Sequence, residues 1–415
     1  MALEAAADTT WKGFSTAERD RRWDAVRANA AAAGLDCVFV PLGLDAHNFH
    51  LSLEQVRGNR SDGRYLTMME NASIVLPTDG REPIVVNDRG AGNNWISNAR
   101  GTGSGGDRGA WAEPMAQALL DLGMERARIG VTGLSRGKVT HGRAQQGAVN
   151  HSSYVHVQRR LPDATFVDAT NVVGFARYVK SDEEVEALRR GAEIAAAGID
   201  EMVRVARPGV PEVVLYAKVM RRMLELGSEY YPMALNSSEL ETFSYRHEDP
   251  MLGRTIGANW LLTNEVDAIW GGMVAQEMQP ILVASPVPER YKPVIDLQRQ
   301  VFLDGLKYMT PGREFADMID WTNGYGEKLG MKTDILMHGR GYGDDGPLLT
   351  PSDRGDNSRD VRIEKGNVWV WKPTAFSADG KTSFSWGGCV LVTENGGVPL
   401  VQREIGMALA QDGGN

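Results

Sequence analysis

Arg207-Pro208-Gly209 and Thr310-Pro311-Gly312 are the two stretches whose reading decides the fold. Each separates two helical patterns. The first helix pair runs from Asp182 to about Ala206 and closes at Leu226-Gly227, and the second runs from about Glu289 to Met309 and closes at Leu329-Gly330. Pro-Gly stops one helix and permits a tight turn into the next. The two Pro-Gly pairs are 103 residues apart, and so are the two Leu-Gly pairs, the interval expected of an internal repeat. A strand-like apolar region follows each copy: Asn259 to Thr263 and beyond, then Val368 to Trp371 with Cys389 to Thr393. Two helix–helix–strand copies predict a curved sheet covered by helices, with a pseudo-two-fold axis and a central cleft.

Ahead of the repeat, the chain reads as a smaller α/β unit. Ser15-Thr16-Ala17-Glu18 has a capping-box pattern that opens a helix ending near Gly34. Asp36-Cys37-Val38-Phe39-Val40 reads as a buried strand. Asn71 to Leu76 and Ile84 to Val86 read as paired strands joined by Thr78-Asp79-Gly80-Arg81. A helix is expected over 111–123 and a strand over Arg128 to Thr132, while 88–109, rich in Gly, Asn and Arg, reads as a loop. Ser181-Asp182-Glu183-Glu184 is a second capping box. The expected division is an N-terminal α/β domain, 1–175, and a C-terminal α+β domain, 176–415.

Composition narrows the function. The 415 residues are 42% hydrophobic and 24% charged, an ordinary globular balance. A formal net charge of −9 supplies no positive field, which argues against nucleic acid as a partner. Two cysteines, Cys37 and Cys389, cannot build a disulfide framework or a cysteine zinc site. No stretch reaches 18 apolar residues and the first twenty lack a signal-type apolar core, so no membrane partner and a cytoplasmic location are expected.

Several segments in fixed order give the chain a family resemblance. They are Val179-Lys180-Ser181-Asp182-Glu183-Glu184, the two Pro-Gly helix pairs, His247 within Tyr245-Arg246-His247-Glu248-Asp249-Pro250, and Trp270-Gly271-Gly272. His338-Gly339-Arg340-Gly341-Tyr342-Gly343, Gly366 to Pro373 and Val390 to Gly396 complete the set. Over roughly residues 171 to 403 the sequence resembles the creatinase, aminopeptidase P and prolidase group, whose C-terminal domain has the pita-bread fold. The resemblance implies an enzyme built as a homodimer, in which the N-terminal domain of one chain helps close the other's cleft. Residues 46–65, with His47, His50, Arg57, Arg60 and Arg64, are placed where the group reaches across.

Peptidases of this group bind two metal ions through five side chains. Their first aspartate falls here on Glu265 and their second on Gln276. The histidine ligand of their His-Gly-x-Gly-His segment falls on Tyr342, with its first histidine kept as His338; their glutamate before a proline falls on Lys372, and their last on or next to Gly387. Divalent cations require several carboxylate or imidazole ligands, and a charged ammonium is no ligand at all. No metal and no cofactor are therefore expected.

Creatinase, as described, shows chemistry on this fold without metal, with a histidine as acid and base at a guanidino C–N bond. That histidine precedes an Asn-Pro pair; here His247 precedes Glu248-Asp249-Pro250. Imidazole titrates near neutrality, which suits it to taking and returning a proton. The candidate catalytic residues are His247, Glu265 and Tyr342. The candidate substrate-binding residues are His338, Arg340, Lys372, Gln276, Glu277, Arg246 and Trp386. With Arg340, Arg246 and Lys372 around it, the cleft is expected to be partly cationic and to take a small polar or anionic molecule; an ion pair of Lys372 with Glu265 would neutralise it instead. The expected reaction is metal-independent C–N bond hydrolysis. A lyase with His247 as base and a non-catalytic small-molecule or peptide binding protein are the alternatives. Gly133-Leu134-Ser135-Arg136-Gly137 matches a nucleophile elbow, but Lys138 to Arg143 is a weak helix start, so Ser135 is a rival nucleophile only.

Overall fold

Short runs of β-branched and aromatic residues make strands buried on both faces. The computed structural model shows such strands at Cys37–Val40, Ala72–Pro77, Ile84–Asn87 and Val368–Trp371; it describes residues 9–42, 61–102, 111–140, 146–230, 233–240, 253–350 and 355–410. The chain forms two compact units. One comprises residues 12–183 and 341–348; the other takes the described residues up to Trp11, then 184–340 and the chain from Leu349 onward. Among the described residues, no helix is long and apolar enough to cross a membrane.

In the first unit, β1 (Cys37–Val40) is central. With β2 (Ala72–Pro77), β3 (Ile84–Asn87), β4 (Ala99–Gly101), β5 (Arg128–Val131) and β6 (Thr165–Asp168) it forms a sheet in the order β4-β3-β2-β1-β5-β6. The expected hairpin pairs Ala72 with Asn87 and Val75 with Ile84. The segment read as a loop contributes β4, which runs parallel to β3. Helix α1 (Thr16–Ala32) starts at Ser15, whose hydroxyl accepts the Glu18 N–H at 3.1 Å. Helices α2 (Ala112–Asp121), α3 (His151–Arg160) and α4 (Thr170–Tyr178) follow. Phe39, Val75, Met115, Leu119 and Ile129 belong to one apolar core.

This unit also buries charge. The Arg22 guanidinium donates to Glu18 Oε1 at 2.7 Å, to the Tyr65 carbonyl at 2.9 Å and to the Tyr342 hydroxyl at 3.1 Å. The rings of Phe14 and Tyr65 lie 4.3 and 4.7 Å from it, a cation–π arrangement. Arg177 donates to both Asp62 and Asp345, all three side chains being buried. These bonds hold segment 341–348 in the first unit. They also correct the expected boundary at 175/176: α4 belongs to this unit, because Tyr65 donates to the Ala176 carbonyl at 2.9 Å and Asn29 to that of Val172 at 3.0 Å. The chain passes into the second unit between Glu183 and Glu184.

In the second unit the repeat is visible in its hydrogen bonds. After α5 (Asp182–Val205), the Gly209 N–H donates to the Ile256 carbonyl at 2.8 Å; after α7 (Lys292–Tyr308), the Gly312 N–H donates to the Ile363 carbonyl at 2.8 Å. Helices α6 (Glu212–Glu225) and α8 (Phe315–Gly324) complete the two pairs. The strands are β7 (Ala234–Glu239), β8 (Trp260–Trp270), β9 (Met273–Met278), β10 (Ile281–Val283), β11 (Thr333–Asp334), β12 (Met337–Gly339), β13 (Leu348–Leu349), β14 (Val368–Trp371), β15 (Thr374–Phe376), β16 (Ser383–Ser385), β17 (Gly387–Thr393), β18 (Gly396–Pro399) and β19 (Ala408–Ala410). The main sheet runs β13-β12-β14-β17-β9-β8-β10-β19, so β17 and β9 join the halves contributed by the two copies. Helices cover one face closely: a Cβ on Gly191 of α5 would lie 3.0 Å from Ala275, and one on Gly305 of α7 would strike the Trp371 ring.

Removing one partner of a buried ion pair strands the other charge. Arg177→Met should therefore destabilise the protein by about 3–5 kcal/mol, whereas Arg221→Ala, at an exposed pair with Glu225, should cost only a small fraction of that. Urea unfolding of the two variants checks the contrast.

Candidate functional site

The site is built on the β8–β9 hairpin. Gly271 and Gly272 both take positive φ, 61° and 83°, as a two-residue turn between twisted strands requires. The turn sets the register, and Asp267 lies directly opposite Gln276. Glu265 and Asp267 alternate along β8, so both point to the face of Gln276, away from α5. Residues 266, 268, 275 and 277 point the other way; Ala275 lies against Gly191 and Val266 against Gly198.

On the Glu265 face, five polar side chains form one chain of bonds. Lys372, just past β14, donates through Nζ to Glu265 Oε1 and to Gln276 Oε1, the latter at 2.8 Å. Gln276 donates through Nε2 to both Asp267 oxygens at 3.1 Å. Asp267 Oδ1 also accepts from Arg340 Nη2 at 2.7 Å. Lys372, Gln276, Asp267 and Arg340 are buried, and the Glu265 side chain, 13% exposed, is the solvent-facing end. His338 is buried on β12 opposite Val370, with Nδ1 3.3 Å from the Gly339 carbonyl oxygen.

Of the residues singled out in the sequence, Glu265, Gln276, Arg340 and Lys372 lie in this one chain of bonds, which also includes Asp267, not singled out there. Its signal was the alternation Glu265-Val266-Asp267 within a strand. Among the described residues, the two expected cations Lys372 and Arg340 each face a carboxylate, so there the alternative of a Lys372–Glu265 ion pair replaces the partly cationic cleft. Glu277 is not part of it. One residue beyond Gln276, it points to the helix-covered face, under Gly388, where a Cβ would lie 2.0 Å from its carboxyl oxygen. There it accepts the Cys389 N–H at 3.2 Å. Burial drives its carboxyl up to about 8, against the lowering effects of that bond and of the Arg403 charge.

Trp386 is also packed elsewhere, its ring against Phe302 of α7 at 4.4 Å between centroids. Tyr342 is buried in the first unit, bonded to Arg22. His247 and Arg246 lie outside the described residues, as do His47, His50, Arg57 and Arg60; Arg64 pairs with Glu70 at 2.5 Å. Ser135 donates to Asp168, and β5 leads into a turn rather than the helix an elbow needs.

This donor set does not fit a pair of divalent cations. Among the described residues, no three His, Cys, Asp or Glu side chains are grouped to hold a metal ion. The ammonium of Lys372 lies against Glu265 and Gln276, and the Arg340 guanidinium lies on Asp267. A side chain at Gly387 has no room, since its Cβ would fall 1.9 Å from the Trp371 carbonyl oxygen.

The sheet, its helix pairs and the place of the cluster define a class of protein. The model of metallopeptidase family M24 matches residues 186–394, half of the chain, and the chain belongs to this family. The fold is that of X-Pro aminopeptidase from Thermotoga maritima, with a TM-score of 0.71 at 14% identity over 93% of this chain and 99% of that one. Among curated proteins, the chain is 27% identical over 199 residues to an uncharacterized hydrolase/peptidase, y4tL, of Sinorhizobium fredii, covering 46% of this chain and 49% of that protein. It is 33% identical over 73 residues to ectoine hydrolase of Halomonas elongata, 18% of each chain, and 36% identical over 78 residues to creatinase of a Bacillus species, 19% of each. The chain thus spans about half or less of the length of these curated relatives.

Glu277 gives the fold a pH dependence of definite sign. Its carboxyl rises from 4.5 to about 8 on folding, so the folded state holds the extra proton between those values. Stability should fall as pH rises through that window and level off above about 8. Glu277→Gln should abolish the fall and gain a few kcal/mol on the unmodified protein at pH 9, at about 1.4 kcal/mol per pKa unit. Denaturant midpoints at pH 5 and pH 9 measure it.

Proposed function

We propose that the protein is a metal-independent hydrolase of a C–N bond in a small polar molecule, with His247 as the residue that moves the proton. The observation that carries this reading is the chain Glu265–Lys372–Gln276–Asp267–Arg340, in which side-chain cations stand against the carboxylates. Two of the curated relatives bear the names of small-molecule hydrolases, creatinase and ectoine hydrolase, which favours a small molecule over a peptide. The balance of two cations and two anions removes the reason to prefer an anion and suits a ligand that is polar overall.

In this reading, His247 takes a proton from the attacking water and returns it to the departing nitrogen, while fixed donors steady the developing oxyanion. Two outcomes are expected. The purified protein should carry no stoichiometric transition metal and keep its turnover in chelator; elemental analysis finding about two ions per chain, as in two-metal sites, with turnover lost to chelator, contradicts it. His247→Ala should lower C–N hydrolysis, scored by amine release from a panel of small amides and guanidino compounds, by about 10²–10⁴-fold. Elimination products in place of hydrolysis would assign a lyase, and binding without turnover a binding protein.

A further inference from the structure

We infer that Lys372 and Arg340 are built-in cations that supply the positive charge a bound metal would otherwise supply, and that Lys372 is the residue that keeps a divalent cation out. The inference rests on the metal-independent reading above and extends it to particular residues.

Glu265 and Asp267 sit two residues apart on one strand face, so their backbones are about 7 Å apart. Carboxylates at that spacing, Asp267 buried and Glu265 only 13% exposed, are held ionised by positive charge close by. Here that charge comes from side chains, one on each carboxylate. Gln276 is fitted to the arrangement in a way that aspartate is not. Its amide oxygen accepts from Lys372 while its amide nitrogen donates to Asp267, which joins the two ion pairs. An aspartate could accept from the lysine but would repel Asp267. Gly387 completes the set, because the close approach of the Trp371 carbonyl leaves no space for a further ligand. Lysine at 372 and glutamine at 276 therefore depend on one another, while glycine at 387 is required by the Trp371 backbone.

The ammonium occupies the space between a carboxylate oxygen and an amide oxygen. If its charge is removed, the Glu265 carboxylate and the Gln276 amide oxygen that it contacted present oxygen donors of the kind a hard divalent cation accepts, while Arg340 stays on Asp267. A cation should then replace the lysine.

The test is thermal unfolding of the full-length protein, Lys372→Met and Glu265→Gln/Lys372→Met, in metal-free buffer and with increasing MnCl2. The unmodified protein should show no shift with Mn²⁺. Lys372→Met should unfold several degrees lower without metal and recover saturably with Mn²⁺, by about 3 °C or more. The double variant, in which the opposing carboxylate is also neutral, should fold and ignore Mn²⁺. A folded Lys372→Met that does not respond to Mn²⁺, or a double variant that responds equally, overturns the inference. So does a Lys372→Met that fails to fold with and without Mn²⁺ while the double variant folds. Saturable stabilisation of the unmodified protein by Mn²⁺ would overturn both this inference and the metal-independent reading, whereas a silent Lys372→Met removes only the former.

Discussion

Two carboxylates share one face of β8, Asp267 buried and Glu265 at the solvent-facing end; they need positive charge next to them, and the rest of the candidate site follows from how this chain provides it. At about 4 Å and an effective dielectric near 20, a unit charge is worth about 4 kcal/mol to its partner before desolvation is subtracted. The lysine and the arginine come from the second copy of the repeat, on the β12–β14 side, while Glu265 and Asp267 come from the first. The charges therefore tie together the two halves of the sheet, beside the β9–β17 seam that joins them.

The first unit solves a similar problem by similar means. Arg177 lies between Asp62 and Asp345, and Asp345 belongs to a segment that follows Arg340 directly in the chain. Burial opposes the Arg177 charge, and the two aspartates more than offset that cost, holding the guanidinium above its ordinary range. The consequence for Tyr342 is direct. Tyr342, where the resemblance places a histidine ligand, is here a phenol bonded to Arg22, within the first unit.

Much of this was legible in the sequence. Pro208-Gly209 and Pro311-Gly312 punctuate the helices at one interval, and the repeat and fold followed from them. Glu265 and Gln276 came from the family resemblance, and Gly271-Gly272 makes the turn that sets their strands side by side. Lys372 and Arg340 came from the family register. Glu277 was misplaced because neighbours along a strand face opposite ways, and adjacency in number says nothing about face. Trp386 packs on Phe302 of a helix far back in the chain, and the Arg22–Tyr342 bond spans 320 residues; no local pattern encodes either. The domain boundary was set too early for the same reason, because the contacts that hold the helix Thr170–Tyr178 reach back to Asn29, Asp62 and Tyr65.

The ammonium of Lys372 stands between Glu265 and Gln276, in the place proposed above for a metal ion. Crystals grown with manganese, with diffraction recorded at the manganese absorption edge, address it directly. No anomalous peak is expected between Glu265 and Gln276, and density for Lys372 Nζ is expected within hydrogen-bond distance of both. An anomalous peak at that place, with the lysine turned away, would contradict it.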